Sequence, residues 1–357
     1  MTERMTAAPK PVTVDADALR GFASALFGRA GMSDAHAHTI ADVLVWANLR
    51  GMDSHGVMRI PRYVEMIAAG DMNPAPDLRV ATETAASVLL DADRAAGPVA
   101  MSAAMDHAIA KAREVGIGFA LVRATTHTAA VGYYTTRAAE AGMAGLAISA
   151  SWPNMAYHGA RAAGASTNPI SIAVPGGANG PVVLDMGTGI VSIGKLMQAR
   201  KTGTPIPEGW ALDAKGNPTT DPKTAQIPLP LGGAKGSGLS LMIELITSLI
   251  VANPLLAETL EGTAKGKRHR QNGAAIAIDI GRFGDVTTYR REVERLSKAL
   301  KALPRDPEIA EILLPGERGH AIRAKRGRAG IPLPAPIAAE LAALAEKLGV
   351  PMVAAKG

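Results

Sequence analysis

Short apolar runs of strand length alternate with a helix-like segment between residues 117 and 187, and this alternation most constrains the fold of the chain. The runs are "IGFALVRA", "GLAISAS", "NPISIAVP" and "PVVLDMG", with helical spacing around "AVGYYTTRAAEAG". Runs of this length separated by a helix predict an α/β unit, in which helices cover a sheet.

Residues 15 to 70 show a different pattern, with apolar residues at helical spacing. Asp15 and Ser33 are predicted to cap two helices, and Pro61 suits the first turn of a third. The stretch "RGMDSHGVMRIPRY" (50–63) then forms a loop that runs into a helix N-terminus, where free N–H groups favour an anion. Arg59 stands at this position, and Tyr63 lies in the first turn.

The rest of the chain is predicted to be mostly helical, with a few further strands. Residues 203–233 form a Pro/Gly-rich loop that is long enough to suggest a functional loop or a packing arm. The other predictions are helices at 97–112, 188–202, 236–252, 286–303 and 335–349, and strands at 273–280 and 310–316.

The 357 residues include no cysteine, which excludes disulfides, thiolate zinc sites and a cysteine nucleophile. This composition fits a reducing compartment. Neither a signal peptide nor a run of about 18 apolar residues is present, so we expect a cytoplasmic protein without a membrane span.

The net charge of +6 is concentrated in "KGKRHR" (265–270) and "RAKRGR" (323–328). Nucleic-acid surfaces usually interleave aromatic side chains with such basic residues, and these stretches have none. We therefore expect solvated loops and no nucleic-acid partner, with small anionic ligands as the second interpretation.

The glycine motifs do not indicate a common nucleotide-binding fold. No G-x-G-x-x-G follows a strand and no Walker motif occurs, so a Rossmann domain or a P-loop is not expected. "GGAKGSG" (232–238) precedes a helix, and Lys235 with nearby N–H groups can hold a phosphate or a carboxylate. A structural turn at the start of the helix is the simpler interpretation of this motif.

The eight histidines lack the spacing of a zinc site, so no metal is expected. Structural or solvated roles are expected for His36, His38, His107, His158, His269 and His320, the last three in polar loops. His55 and His127 differ because hydroxyl residues flank them in loops, and an imidazole is suited to moving a proton at neutral pH. A Ser54-His55 hydrolase is disfavoured, since adjacent side chains rarely reach nucleophile geometry and no G-x-S-x-G elbow occurs.

Several stretches in order together resemble the malate/L-lactate dehydrogenase family of the non-Rossmann type. This family also includes ureidoglycolate dehydrogenase, sulfolactate dehydrogenase and piperideine/pyrroline-2-carboxylate reductase. The similar stretches are "RGMDSHGVMRIPRY", "HTAAVGYY" (127–134), "STNPISIAVP" (166–175), "LDMGTG" (184–189), "PEGWALDAKGNPTTDP" (207–222), "LPLGGAKGSGLSLMIELI" (229–246) and "LLPGERG" (313–319).

The resemblance implies an α/β (α+β) fold with a discontinuous helical domain beside an α/β domain that binds the cofactor. The implied boundaries are a helical part at 1–78, an α/β part at 79–200, a loop and helix returning to the helical domain at 201–264, a second α/β part at 265–320 and a helical segment at 321–357. The resemblance also implies a homodimer.

The activity that the resemblance implies is NAD(P)-dependent oxidation or reduction of a small 2-hydroxy/2-oxo carboxylic acid. The choice between NAD and NADP stays open. A reductase for a cyclic imino acid is the alternative, and a relative that binds the cofactor without catalysis is a third.

The resemblance also assigns roles to individual residues. Ser54 and His55 match a proton relay, and Arg59 matches the arginine that binds the substrate carboxylate. His127 starts a segment along the cofactor, and in some members it is the proton acceptor. The substrate-binding set is Arg59, Tyr63, Thr167 and Asn168; the cofactor-binding set is His127, Thr128, Ala129, Ala130, Val131, Asp185, Met186, Gly187, Lys235, Pro315, Gly316, Glu317 and Arg318.

The chain departs from the family's pattern around the expected pocket, at Thr126, Thr128, Ser166, Gly189 and Ser237. These changes leave open which acid the protein acts on and which cofactor it prefers.

Overall fold

The computed structural model describes residues 11–264, 266 and 270–356. Most of the basic stretch at 265–270, including His269, lies outside the described residues. Two compact units are present, which we call unit 1 (Met1–Gly70 with Gly319–Gly357) and unit 2 (Asp71–Arg318).

The helices are α1 (Ala16–Arg29), α2 (Asp34–Leu49), α3 (Ile60–Ala68), α4 (Gly97–Val115), α5 (Gly132–Glu140), α6 (Ile193–Thr202), α7 (Ala234–Glu244), α8 (Leu256–Leu260), α9 (Val286–Lys301), α10 (Glu317–Ala329) and α11 (Ala335–Leu348). The strands are β1 (Val12–Val14), β2 (Arg79–Glu83), β3 (Ser87–Asp91), β4 (Ile117–Thr125), β5 (Met143–Ala150), β6 (Met155–Ala156), β7 (Ala163–Ala165), β8 (Pro169–Val174), β9 (Val182–Gly187), β10 (Ala211–Leu212), β11 (Pro218–Thr219), β12 (Ile227–Pro228), β13 (Gln271–Asp279) and β14 (Ile331–Leu333).

Unit 1 is mainly helical, and its helices begin at the predicted caps. The Asp15 side chain accepts hydrogen bonds from two N–H groups of α1, and Ser33 accepts one from α2. The predicted apolar faces of both helices are buried, and the two helices pack against each other. The short strands β1 and β14 pair antiparallel and join the two chain segments of this unit.

Helix α3 follows the loop at 50–59, with Pro61 in its first turn as predicted. Its buried face consists of Ile60, Tyr63 and Met66, spaced three residues apart. The ring of Tyr63 lies 6.3 Å from that of Phe27 on α1. This packing fixes the helix immediately after Arg59.

Unit 2 is built on a mixed sheet, which confirms the predicted α/β architecture. Among the described residues the strand order of this sheet is β2-β3-β4-β13-β5-β8-β9. The β3–β4 pair is parallel, and the other neighbours are antiparallel. Strand β13 comes late in the chain and inserts between β4 and β5.

Helices cover the faces of this sheet and bury its aliphatic side chains. Helix α4 packs against β4 and β13, and α5 packs against β5 and β8. Helix α7 and the turn after it contact β5 and contribute to a core of small and branched residues: Leu121, Ile148, Ala150, Ile243, Val251, Leu255 and Ala274. This core holds the ends of β4 and β5 in place.

Three predicted helices or strands differ from those observed. The helix expected at 236–252 is α7 followed by a π-helical turn over Leu245–Leu249. The helix expected at 188–202 begins only at Ile193, because the Ser192 side chain caps it. The strand expected at 310–316 is wrong, since these residues form no sheet pairing and Leu313 is half exposed.

Three segments predicted as loops have more regular structure. One is the basic stretch at 323–328, which lies within α10. The stretch 203–233 contains the small antiparallel sheet of β10, β11 and β12. His320 lies in α10 rather than in a polar loop, and its Nδ1 is 3.3 Å from a guanidinium nitrogen of Arg50. The predicted domain boundaries remain a prediction, although contacts within the structure group residues 201–264 with unit 2. No helix among the described residues has the length and apolarity needed to cross a bilayer.

Candidate active site

The loop at 50–59 of unit 1 folds into two short 3-10 helices, Asp53–His55 and Val57–Arg59. This folding turns the chain back on itself, so that Arg59 Nε donates to the Ser54 carbonyl oxygen at 2.7 Å. The hydroxyl of Ser54 lies 2.9 Å from His55 Nδ1 and forms a hydrogen bond with it. Three of the predicted site residues are therefore held within one small loop.

One hydrogen bond orients the Arg59 guanidinium and leaves its terminal N–H groups able to bind a ligand. Its Nε bonds the Ser54 carbonyl, whereas its two terminal nitrogens have no acceptor among the described residues. A guanidinium fixed in this way presents two parallel N–H groups, which match the two oxygens of a carboxylate.

The His55 imidazole is neutral at physiological pH in this structure. Burial, together with the positive charge of Arg59, lowers the pKa of His55 to about 4. Removal of the ring from water disfavours its charged form, and the neighbouring cation adds to that effect. A neutral imidazole of this kind can accept a proton from a bound hydroxyl group.

Tyr63 is a core residue of unit 1, with 1% of its surface exposed. Burial raises the pKa of the Tyr63 hydroxyl, and the charge of Arg59 only partly opposes this rise. The phenol therefore stays neutral, and its contribution to substrate binding remains a prediction.

In unit 2, the segment at 126–131 joins the end of β4 to the start of α5 and carries His127. The main-chain N–H of Ala129 donates to His127 Nδ1 at 3.3 Å, and Ala129 has a φ of 54°, in the left-handed region. The Tyr134 hydroxyl donates to the Thr128 carbonyl at 2.6 Å. A Cβ at Gly97 would lie 2.3 Å from the His127 carbonyl oxygen, so α4 can approach only with glycine there.

The same segment has buried main-chain donors that remain unpaired. Ala130 and Val131 are 3% and 1% exposed, and their N–H groups have no acceptor within the described part of the chain. Buried N–H groups are rarely left without a partner, which indicates a binding position for a polar ligand group at the start of α5.

Asp185 on β9 faces this helix start from the other side. Its Oδ2 accepts a hydrogen bond from the Gly132 N–H at 3.0 Å. A Cβ at Gly132 would lie 2.6 Å from the same oxygen, so glycine is required for this approach. Met186 and Gly187 continue β9, opposite Ile170 and Pro169 of β8.

Thr167 and Asn168 are held in place by hydrogen bonds within unit 2. The Thr167 N–H donates to the Asn154 side chain at 3.0 Å. Asn168 is 1% exposed; its side chain accepts from the Ser151 N–H and donates to the Ser240 carbonyl. Asn168, together with Ser151, Ser166 and Ser240, lines a small cavity of about 10 Å³, which is room for about one water molecule.

Lys235 lies in the first turn of α7, directly after the positive-φ residues Gly232 and Gly233. Its side chain is exposed, and its ammonium group has no acceptor among the described residues. The glycine-rich turn thus serves as the structural entry to a helix and also leaves a cation available for an anionic group.

Residues 315–318 form a turn at the start of α10 that is tied to β9. The Pro315 carbonyl accepts from the Val183 N–H at 3.1 Å, and Gly316 has a φ of 90°. Glu317 pairs with Lys301 at 2.8 Å, and Arg318 is exposed. The Glu317 carboxylate is therefore already used within the protein.

The positions that depart from the family pattern are mostly buried and internally bonded. Thr126 donates to the Ala95 carbonyl, and the Ser237 hydroxyl accepts from the His158 N–H. Ser166 accepts a hydrogen bond from Thr188 through its carbonyl oxygen, and Gly189 forms a bridge with Pro230.

The predicted residues fall into groups that follow the division into units. Ser54, His55 and Arg59 come together in the loop of unit 1, and the segment at 127–131 comes together with Asp185 in unit 2. The roles of Asp53, within the loop at 50–59, and of its partners Asn48 and Arg326 were not found from the sequence. The aspartate within "RGMDSHG" was the one available signal, because a carboxylate in such a loop needs a partner.

Comparisons with known proteins identify the family of the chain. The family model described as "Malate/L-lactate dehydrogenase" matches residues 14–342. A malate dehydrogenase of Pyrococcus horikoshii is 34% identical over 349 residues, which cover 95% of this chain and 96% of that protein. A solved structure of malate dehydrogenase from Pyrococcus horikoshii OT3 has a TM-score of 0.87, with 32% identity and coverage of 99% of this chain and 100% of that one.

Two further relatives carry other activities in their names. The "Ureidoglycolate dehydrogenase (NAD(+))" of Escherichia coli K12 is 32% identical over 296 residues, which cover 81% of this chain and 83% of that protein. The structure of a delta1-piperideine-2-carboxylate reductase from Pseudomonas syringae has a TM-score of 0.83 at 28% identity, covering 93% of this chain and 99% of that one.

Proposed function

The chain belongs to the malate/L-lactate dehydrogenase family, and we propose that it is an NAD(P)-dependent dehydrogenase of a small 2-hydroxy/2-oxo carboxylic acid. In this reaction a hydride passes between the nicotinamide and C2 of the acid, while a proton passes between its C2 oxygen and a side chain.

The arrangement of Arg59 and His55 is the observation that carries this proposal. A fixed guanidinium with free terminal N–H groups lies in the same loop as a neutral imidazole that bonds a serine hydroxyl. The substrate needs both groups, because its carboxylate must be anchored and its hydroxyl must lose a proton.

The two side chains are also coupled through their charges. The positive charge of Arg59 lowers the pKa of His55, and a carboxylate bound to Arg59 offsets that charge. Substrate binding therefore raises the proton affinity of His55 at the moment when the hydroxyl proton has to be accepted. The Ser54 hydroxyl holds the ring through Nδ1 and supports this role.

The residues of unit 2 fit a nicotinamide cofactor. The unpaired N–H groups of Ala130 and Val131 suit polar cofactor atoms, and the free ammonium of Lys235 suits a phosphate. When bound there, the cofactor would supply or accept the hydride, which no side chain can do. The residues that would hold it are His127 to Val131, Asp185 to Gly187, Lys235 and Pro315 to Arg318.

Thr167, Asn168 and Tyr63 are proposed to shape the substrate-binding position indirectly. Thr167 and Asn168 are fixed by bonds to Asn154, Ser151 and Ser240, so they shape the substrate position mainly through the main chain. Tyr63 fixes the start of α3, which follows Arg59 directly, through its burial and its packing near Phe27.

The experiment is a turnover assay that follows the absorbance of NADH and NADPH. The substrates are 2-oxo acids, including oxaloacetate, pyruvate and sulfopyruvate, and in the reverse direction malate, lactate and ureidoglycolate. Turnover of at least one acid supports the proposal, and the preferred cofactor is read from the same data. Absence of turnover with every acid and both cofactors would refute it.

The alternative substrate is a cyclic imino acid, which the structural similarity to the Pseudomonas syringae reductase favours. The same arginine would anchor the carboxylate, and the ring nitrogen would be protonated instead of the oxygen. Piperideine-2-carboxylate and pyrroline-2-carboxylate in the same assay separate the two candidates, because the better substrate has the higher kcat/KM.

We also propose a cytoplasmic homodimer. The absence of cysteine is in line with a reducing compartment, and the resemblance to the family implies a homodimer. Sedimentation of the purified protein gives the number of chains, and a mass of one chain at micromolar concentration would contradict the dimer.

A further inference from the structure

Arg326 on α10 forms a two-point ion pair with the loop that contains Ser54, His55 and Arg59. One terminal nitrogen of Arg326 lies 2.6 Å from Asp53 Oδ1, and the other lies 3.0 Å from Asp53 Oδ2. The same guanidinium donates to the main-chain carbonyl of Asn48. Only 16% of the Arg326 side chain is exposed, so the pair is partly shielded from water.

Asn48, at the end of α2, connects this ion pair to the rest of the loop. It is 3% exposed, and both ends of its amide are used. Its Nδ2 donates to Asp53 Oδ1 at 2.7 Å, and its Oδ1 accepts from the Val57 N–H at 2.8 Å. A Cβ at Gly56 would lie 2.2 Å from Asn48 Oδ1, so the amide fits only because residue 56 is glycine.

These contacts hold the loop on both sides of Ser54 and His55. Asp53 precedes Ser54 and His55 directly, and Val57 begins the short helix that ends at Arg59. Because bidentate guanidinium–carboxylate pairs fix orientation as well as distance, the ion pair restricts both short helices at once.

We propose that Arg326, through Asp53 and Asn48, is a positioning residue that sets the orientation of His55 and Arg59 for catalysis. The proposal rests on the function proposed above. It adds to that function a residue of α10 that lies 273 positions along the chain from Asp53 and outside the short stretches that carry the family resemblance in the sequence. Small displacements of catalytic groups cost large factors in rate, which gives the contact its functional weight.

The test compares the wild-type protein with Arg326→Ala, Arg326→Lys and Asp53→Asn. We expect Arg326→Ala to lower kcat/KM roughly 10- to 100-fold. Displacement of His55 lowers kcat, and displacement of Arg59 raises KM. Arg326→Lys should recover part of the lost activity, because lysine keeps the positive charge. The recovery should be incomplete, because lysine cannot form the two-point contact with Asp53. Arg323→Ala is the matched control, because Arg323 is an exposed arginine on the same helix, and its activity should equal that of the wild type.

A second readout separates positioning from a general loss of structure. The charged or titratable side chains of the loop itself are Arg50, Asp53, His55 and Arg59. From the adjoining helices, Arg326 pairs with Asp53, His320 lies 3.3 Å from Arg50, and Tyr63 is close enough to Arg59 to feel its charge. If the ion pair keeps His55 in place beside Arg59, its removal exposes the imidazole, and the acid limb of the kcat/KM profile moves to higher pH. Binding of NADH, followed by its fluorescence, should be unchanged in every folded variant.

The outcomes distinguish this proposal from the proposed function. If the wild type turns over an acid while Arg326→Ala and Asp53→Asn keep its kcat/KM and its pH profile, the positioning role is wrong. If the wild type turns over none of the acids, the proposed function fails. The role of Arg326 is then tested by following the protonation of His55 by NMR as a function of pH. An equal His55 midpoint in wild type and Arg326→Ala would then overturn the positioning role; an upward shift supports it.

Discussion

The two loops that carry the candidate proton-transfer histidines hold them in different ways. In the loop at 50–59, His55 forms a hydrogen bond with the hydroxyl of Ser54, and the positive charge of Arg59 lowers its pKa. In the segment at 126–131, the Nδ1 atom of His127 accepts a hydrogen bond from the main chain two residues later. One ring is surrounded by side chains that tune its proton affinity, and the other helps to shape the turn that contains it.

This difference indicates a division of roles. A proton-transfer group needs an environment that sets its pKa, whereas a group that shapes a turn needs a contact with the main chain. We therefore propose His55 as the residue that carries the proton. In the same proposal His127, whose Nδ1 accepts from the Ala129 N–H, shapes the turn that leads into Ala130 and Val131.

The largest expected effect comes from replacing the two histidines one at a time. His55→Gln should lower kcat about 10³-fold, because general acid–base catalysis contributes about 10² to 10⁴. His127→Gln should lower kcat less than about 10-fold and should weaken cofactor binding instead. Steady-state kinetics and NADH titration of both variants make the comparison, and the reverse order of effects on kcat would assign the proton to His127.

The next effect comes from replacing the anchor of the carboxylate. Arg59→Lys should lower kcat/KM on the order of 10²-fold, mostly through KM, because lysine keeps the charge but cannot form two parallel bonds. Initial rates over a range of acid concentrations give the two constants. A variant with normal KM would show that the carboxylate is bound elsewhere, and Arg323→Ala serves again as the control.

A smaller effect is the dependence of stability on pH. The pKa of His55 is about 4 in the folded protein and about 6.5 in an unfolded chain, so the unfolded state binds more protons between these values. Stability should therefore fall as the pH drops from about 6.5 to about 4, by on the order of 2 kcal/mol. Urea unfolding at several pH values should show this fall in the wild type, and an equal fall in His55→Gln would assign it to other groups.

The smallest expected effect concerns the helix start beside His127. Asp185→Asn keeps an acceptor for the Gly132 N–H but removes the negative charge at the start of α5. The helix dipole makes such a charge worth roughly 0.3–1 kcal/mol, so the melting temperature should fall slightly. Thermal unfolding measures the change, and Asp285→Asn at the start of α9 is the matched control for loss of a cap charge in a helix away from the site. An unchanged melting temperature for Asp185→Asn alone would show that this contact adds no stability.

The local features of the fold could be read from the sequence because short-range chemistry decides them. Asp15, Ser33 and Pro61 mark the starts of α1, α2 and α3 through side-chain caps and a fixed φ angle. The runs that form β4, β5, β8 and β9 were recognisable from their apolar residues. Pairing over long distances was not, since β13 enters the sheet between β4 and β5 from about 120 residues away.

At the site, too, the local features were predictable from the sequence and the long-range contacts were not. The sequence by itself determined that a serine, a histidine and an arginine share one loop before a Pro-initiated helix, and a family resemblance assigned roles to them. Only the tertiary structure decided that Arg59 donates to the Ser54 carbonyl and that burial lowers the pKa of His55. The ion pair between Arg326 and Asp53 was likewise visible only in the tertiary structure. Burial and ion pairs depend on residues far apart in the chain. A local pattern of residue types does not predict which distant side chain will contact it.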